Sequence, residues 1–294
     1  MLNINIYTKI EFIFLLGILL IILLIIRKVL LNKINKKNLE VAKKVSIGYE
    51  EIQEDYVEVA YRPYGTLAVL ADGLGKNEAG RISSIVAART ITKMFLEEGS
   101  KEKIVYFFKK AFNKANHEII KRVEKDKGGA SVLSAVVIDD LLYYALVGDC
   151  MLAIFRNKEL VRLSEGHAIN EVAKREYYKG NLQKSEAVYA LKEKKLLYYL
   201  GQEYFKDIEL CDDPIKLHKN DIVVLMSKGI YESLRWIEIE DMLQENNIAL
   251  EDICEEIIEE IKNNNKFNNC NGSIILMKYI DDKTRKNFKE VKPS

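Results

Sequence analysis

The sequence predicts an α+β fold preceded by one transmembrane helix, and three observations predict it. Residues 12–26 (FIFLLGILLIILLII) carry no polar side chain. Beyond residue 45, short runs rich in Val, Ile, Leu and Tyr are joined in places by two-residue polar turns, which implies antiparallel strands. Strands and helices arrive in blocks rather than in strict alternation, which favours helices packed outside antiparallel sheets over a doubly wound parallel sheet.

Residues 1–9 form a short N-terminal flank, and 10–31 are the membrane span. A bilayer core takes about 20 residues, a length that 10–31 reaches once Arg27 and Lys28 snorkel to the headgroups. A cleaved signal peptide fits poorly, because Lys9 is offset by Glu11 and the run ends in Arg27-Lys28. Arg27, Lys28, Lys33, Lys36, Lys37, Lys43 and Lys44 stand against Glu40 alone. The positive-inside rule therefore places the C-terminal bulk in the cytoplasm, as a single-pass membrane protein with 32–44 as a basic linker. A globular domain over 45–282 and a charged tail over 283–294 complete the chain. Strands are expected at 56–62, 66–71, 131–138, 141–147, 151–156, 221–227 and 273–279. Ile138-Asp139-Asp140-Leu141 and Arg156-Asn157-Lys158-Glu159 read as hairpin turns. Helices are expected at 81–96, where Ile82, Ile85, Val86, Thr90 and Met94 recur on one face, and at 101–125, 168–178 and 250–263.

Forty-five basic against 44 acidic residues leave a net charge of +1, no field that would draw the chain onto nucleic acid. With 48% apolar residues and only 3 Pro, collagen-like and largely disordered classes are excluded. Cys150, Cys211, Cys254 and Cys270 form no CxxC pair, and His117, His167 and His218 are isolated. A zinc ribbon and a disulfide framework are thus excluded, and any metal must rest on carboxylates.

Four short elements fall at strand ends, where loops carry function on a rigid scaffold: Gln53-Glu54-Asp55, Asp72-Gly73-Leu74-Gly75, Gly148-Asp149-Cys150 and Ser227-Lys228-Gly229. Each alone is weak, since an Asp-Gly after a strand is more often a turn than a metal site. Nucleotide binding through Asp72-Gly73-Leu74-Gly75-Lys76 is disfavoured, since the GxxxxGK[ST] spacing of a phosphate-cradling loop is absent. Further short elements fall between and after these: Gly129-Ala130-Ser131, Leu163-Ser164-Glu165-Gly166-His167, Tyr199-Leu200-Gly201 and Asn271-Gly272-Ser273. In this order the chain, over about 45–280, resembles the PPM family of metal-dependent Ser/Thr protein phosphatases of the 2C type.

That resemblance implies an α-β-β-α four-layer sandwich of two antiparallel sheets flanked by helices. It also implies two Mg or Mn ions sharing a water that attacks phosphorus. By resemblance Asp72 bridges the metals, the Gly73 carbonyl with Glu54 or Asp55 completes one shell, and Asp149 serves an accessory metal. Three departures stand at the same site. Lys228 replaces the Asp of the family's Ser-Asp-Gly element and Cys270 replaces the Asp before Asn271, both ligands of one metal, while Glu50 replaces the Arg that clamps substrate phosphate. A cation repels a divalent ion and a thiol suits hard Mg poorly, so at most one Mg or Mn is expected to bind tightly. Two readings follow. In the first, the domain is a catalytically degenerate regulator that binds phosphoproteins or a Ser/Thr kinase. The alternative is an active Ser/Thr phosphatase in which the Lys228 ammonium takes the missing metal's place. An ion pair of Lys228 with Asp72 and a solvated Glu50 are the plainer expectations for those two residues.

Overall fold

The computed structural model describes residues 6–35, 38–75, 78–123, 128–193, 195–203, 207–211, 213–244, 248–263 and 271–280, with side chains in the first helix from 12 to 26. Cys270 and the 283–294 tail, both singled out from the sequence, lie outside the described residues. The chain divides into two units, 1–37 and 38–294.

The first unit is the helix α1 (Ile6–Asn35). Its described side chains are exposed throughout 12–26, and none is polar. Among the described residues no helix is long and apolar enough to cross a membrane. Those 15 residues rise about 22 Å, short of a hydrocarbon core of about 30 Å.

The second unit contains, in chain order, strands β1 (Leu39–Ser46), β2 (Tyr56–Arg62), β3 (Gly65–Gly75), β4 (Gly128–Ile138), β5 (Leu141–Val147), β6 (Met151–Arg156), β7 (Glu159–Arg162), β8 (Glu209–Leu210), β9 (Ile215–Lys216), β10 (Ile222–Met226) and β11 (Gly272–Tyr279). Its helices are α2 (Ala79–Glu98), α3 (Ile104–Arg122), α4 (Ile169–Tyr178), α5 (Lys184–Ala190), α6 (Lys228–Ser233), α7 (Trp236–Leu243) and α8 (Leu250–Asn263). One sheet runs β1-β11-β10-β6-β7 and the other β2-β3-β4-β5-β8, with β9 also on β5. Every pairing is antiparallel. Both hairpin turns form as their sequences require. Ile138 pairs Leu141 across Asp139 at φ 55°, and Arg156 pairs Glu159 across Asn157 and Lys158, both at positive φ.

Alternation along the strands splits the apolar residues among three cores. Leu70, Leu133, Leu146, Leu152, Val223, Leu225, Ile275 and Met277 fill the space between the sheets. The outer face of the second sheet packs Val69, Val132 and Val136 against Ile91 and Phe95 of α2 and Phe108 and Phe112 of α3. The outer face of the first packs Val224, Ile274 and Leu276 against Ile230, Ile239, Ile253 and Ile257 of α6, α7 and α8. The layers are therefore α-β-β-α, as the resemblance implied.

One boundary differs from expectation. Residues 39–44, read as part of a basic linker, are strand β1, in register with β11 from Leu39↔Tyr279 to Ser46↔Gly272. Its lysines hid the pattern. Ala42 is buried while Lys43 and Lys44 turn outward, Lys43 Nζ donating to Val57 O at 3.4 Å and Lys44 pairing with Glu255 on α8. Long aliphatic stems let a lysine-rich edge strand cover a sheet without burying its charges.

Candidate functional site

The strand ends that carry the acidic elements converge on one end of the two sheets. Asp55 enters β2, Asp72 lies near the end of β3 opposite Ser131 of β4, Asp149 sits in the β5–β6 turn, and Lys228 starts α6 directly after β10. The β5–β6 turn is held by Ser131. Its hydroxyl, fully buried, accepts the N–H groups of Asp149 (2.8 Å) and Cys150 (2.9 Å) and gives its own hydrogen to Cys150 Sγ at 3.1 Å. Gly148 makes that turn possible, because at φ 107° a Cβ would stand 2.3 Å from Ser131 Oγ. On the other side of the site Gly229 is required by close approach, its Cβ position lying 1.9 Å from Asn271 O.

Asp55 is buried, with one oxygen receiving Ser273 Oγ at 2.5 Å and the other, Oδ1, without a hydrogen-bond partner among the described residues. Burial pushes its pKa up to about 6, against the opposing hydrogen bonds of Ser273 and Ser227. Asp72 is raised well above the usual carboxylate range by burial and then by the neighbouring charges of Asp55 and Asp149. Lys228 works in the opposite direction on Asp72, through its backbone N–H at 3.4 Å and its charge. Glu54 is raised by burial and by Glu50, Asp55 and Glu78. Its backbone N–H donates to Asn271 Oδ1 at 2.6 Å and its carbonyl accepts Ser84 Oγ at 2.5 Å.

The expected Lys228–Asp72 ion pair is not the one observed. Lys228 Nζ pairs with Asp149 Oδ2 at 3.2 Å, because the side chain leaves the first turn of α6 toward the β5–β6 turn while its amide faces Asp72. Burial works against the ammonium, but Asp149, together with Glu232 and Asp72, outweighs it and holds the Lys228 pKa above its ordinary value. Tyr231, one turn on, donates to Asp149 O at 2.8 Å. Asp149, expected to serve an accessory metal, thus has its carboxylate engaged by a cation of the chain itself. Glu50 is exposed, as expected of a solvated charge, and acts on the site only by raising Glu54.

A second tier fixes the turn. His167, fully buried, accepts the Gly148 N–H on Nδ1 at 3.2 Å, and its backbone N–H donates to Gly148 O at 2.7 Å. Burial pushes its pKa down. Glu209 of β8 accepts the N–H groups of Glu165 (2.9 Å) and Gly166 (2.8 Å), securing the segment that carries His167. Beyond α4 and α5 the chain returns as a strap. Lys195 O accepts Ile169 N–H at 2.9 Å, Leu197 N–H donates to His167 O at 2.8 Å, and Leu200 exchanges two bonds with Ala130. Between strap and sheet end lies a cavity of about 400 Å³ lined by Asp72, Gly129, Asp149, Lys195, Tyr199 and Lys228 among others. A second, of about 280 Å³, shares Asp149 and Lys228 and adds Arg162, Asn170 and Tyr231.

All six residues taken from the sequence (Glu54, Asp55, Asp72, Gly73, Asp149 and Lys228) lie at this end of the sheets. Sequence reading missed Tyr231, Glu209 and Lys195, which reach the site from helix α6, the two-residue strand β8 and the strap and stand in no motif. Among the described residues no group of three or more His, Cys, Asp or Glu side chains is arranged to hold a metal ion.

Comparison with known proteins places these observations. Residues 68–176 match the family model described as Protein phosphatase 2C. The chain is 24% identical over 235 residues to Protein phosphatase PhpP of Streptococcus pneumoniae, covering 78% of this chain and 93% of that protein. The fold superposes on the S. agalactiae serine/threonine phosphatase with a TM-score of 0.72 at 20% identity, covering 83% of this chain and 100% of the other. It superposes on the catalytic domain of serine threonine protein phosphatase PstP, solved with two manganese ions, with a TM-score of 0.67 at 18% identity, covering 83% and 99%.

Proposed function

Because the chain carries a domain of the protein phosphatase 2C (PPM) family, we propose that it is a Ser/Thr phosphoprotein phosphatase working with a reduced metal set, one divalent cation assisted by Lys228. The observation that carries this reading is the charge arrangement around Asp72. Asp55 and Asp149 both raise it, and one of these, Asp149, is neutralised by the Lys228 ammonium at 3.2 Å. The remaining pair, Asp55 and Asp72, includes a buried oxygen, Asp55 Oδ1, with no hydrogen-bond partner among the described residues. Buried acceptors left without a donor are costly, and hard carboxylate oxygens suit Mg or Mn. The donor set therefore fits one cation on Asp55 and Asp72, with Glu54 and the Gly73 carbonyl beside them. A divalent cation bound there supplies Lewis acidity, lowering the pKa of water and drawing charge off a phosphoryl oxygen. The chain's own part is to gather the acidic groups around it, to aim Lys228 across the pocket through Asp149, and to keep the β5–β6 turn rigid through Ser131 and His167.

The test is hydrolysis of a phosphothreonine peptide during titration with Mn. Turnover that depends on Mn, with one tight site by calorimetry and a loss of about 100-fold in kcat for Lys228→Ala, is expected. A full complement of Mn with no turnover would instead favour the second reading, a phosphoprotein- or kinase-binding regulator. The replacements at Lys228, Cys270 and Glu50, and the lack among the described residues of a three-carboxylate group, speak for that reading.

Helix α1 is proposed to anchor the domain on the cytoplasmic side of a membrane. Support comes from the unbroken apolar surface at 12–26 and from the sequence of 10–31, which at 1.5 Å per residue reaches about 33 Å. The full chain should partition with membranes and resist extraction by high salt. Recovery in a detergent-free supernatant would remove the anchor.

A further inference from the structure

Among the described residues, Lys195 is a cation of the site that has no ion-pair partner. Its backbone is fixed, since its carbonyl holds the Ile169 N–H at 2.9 Å and the next residue, Leu196, bridges to Ala168. Its side chain is exposed, and it lines the 400 Å³ cavity together with Asp72, Asp149, Tyr199 and Lys228. Lys228 is committed to Asp149, whereas among the described residues Lys195 has no ion-pair partner. The cavity is also walled by Gly128 and Gly129, which pair with Gly75 and Leu74. At the position where the related family carries a phosphate-clamping arginine, this chain has Glu50, which is exposed and does not line the cavity.

We propose that Lys195, carried on the strap between α5 and β8, is the residue that binds the phosphoryl group of the substrate, so that recognition of a phosphomonoester dianion enters from the strap side of the pocket rather than from the segment before β2. This deepens the phosphatase reading and rests on it for the identity of the substrate. The charge count requires such a cation. A phosphomonoester carries close to two negative charges at neutral pH. Within the cavity Asp149 and Lys228 cancel, and a divalent ion on Asp72 still faces Asp55 and Glu54. One further positive group is needed to attract the dianion, and a lysine on a fixed backbone with a free ammonium supplies it as a point charge.

The test uses the full chain with Mn and two probes, inorganic phosphate and a phosphothreonine peptide. Lys195→Ala should weaken calorimetric binding of inorganic phosphate about 10-fold and raise the peptide KM by a similar factor with kcat within about 2-fold, the loss of one charge-assisted hydrogen bond. Lys195→Arg should restore most of both, and Lys195→Glu should weaken both further. Lys192→Ala, a neighbouring strap lysine outside the cavity lining, should change neither. Unchanged phosphate affinity in Lys195→Ala, an equal loss in Lys192→Ala, or no phosphate binding by the unaltered chain would each overturn the proposal. If the unaltered chain binds phosphate through Lys195 but hydrolyses no peptide, the phosphatase reading fails while the binding site stands.

Discussion

Two serines on β4 make the same substitution carry opposite signs. Ser131 and Ser134 are both fully buried; Ser134 is flanked by β3 and β5, and Ser131 by β3 on one side and the β5–β6 turn on the other. Ser131 Oγ satisfies the amides of Asp149 and Cys150, whereas Ser134 Oγ has no hydrogen-bond partner among the described residues. Ser131→Ala leaves two N–H groups without an acceptor, the buried one at Cys150 costing about 2 kcal/mol and the partly buried one at Asp149 about 1 kcal/mol, a total of about 3 kcal/mol. Ser134→Ala removes a hydroxyl that gains nothing from its surroundings, so it should leave stability unchanged or raise it by about 1 kcal/mol. Urea denaturation followed by circular dichroism reads both as midpoint shifts at constant slope. Thermal midpoints should fall by about 6–12 °C for the first and hold or rise for the second. Because Asp149 aims Lys228, Ser131→Ala should also lower Mn-dependent turnover, while Ser134→Ala should not. Equal destabilisation by the two variants, or a loss beyond about 1 kcal/mol for Ser134→Ala, would refute the reasoning.

Arg156 makes three hydrogen bonds to the nearly buried Asp221 and one to Lys216 O across to the other sheet. Arg156→Ala strands a carboxylate and should cost about 3 kcal/mol, whereas Asp221→Asn leaves a partly exposed guanidinium and should cost about half as much in the same urea assay. Asp55 gives a pH dependence in metal-free protein. Its folded pKa of about 6 lies above the unfolded value of 3.8, so the native state holds the proton more tightly and stability falls as pH rises from 3.8 to 6. The fall is on the order of 2–3 kcal/mol, and Asp55→Asn should flatten this limb and stabilise the chain at pH 7 in EDTA. A steeper limb in the variant would contradict the assignment.

The layers of the fold were legible because they rest on pattern. The runs rich in Val, Leu, Ile and Tyr at 131–138 and 141–147, the acidic and Asn-Lys turns, and the helical spacing at 250–263 each encode their element locally. Strand β1 was not legible, since its pairing partner lies over 200 residues away and its lysines mimic a linker. The short helices α6 and α7 are set by packing on the sheet rather than by period. At the site, the residues at the start of β2, near the end of β3, in the β5–β6 turn and just after β10 were found from the sequence, whereas Glu209 on the two-residue strand β8 was not. Tyr231 and Lys195 were not, because one depends on the phase of a six-residue helix and the other on a strap whose anchors, Ala168 and Ala130, carry no chemical signature. The direction of Lys228 was also beyond the sequence, which places the residue but not its χ angles.

That direction decides what the replacement of a carboxylate by lysine does to the site. Had the ammonium reached Asp72, it would have neutralised the carboxylate that a metal needs, and the pocket would be closed to cations. Turned instead to Asp149 at 3.2 Å, it removes one of the two charges that raise Asp72 and leaves the Asp55–Asp72 pair available. Two carboxylates this close under burial hold protons that a divalent ion would displace. The site should therefore take up Mn with release of protons, Asp55 contributing its share below about pH 6, and its affinity for Mn should climb with pH through that range. Calorimetry in two buffers of different ionisation enthalpy counts those protons. A proton count of zero at pH 5.5 would show that Asp55 and Asp72 are not the groups that receive the ion.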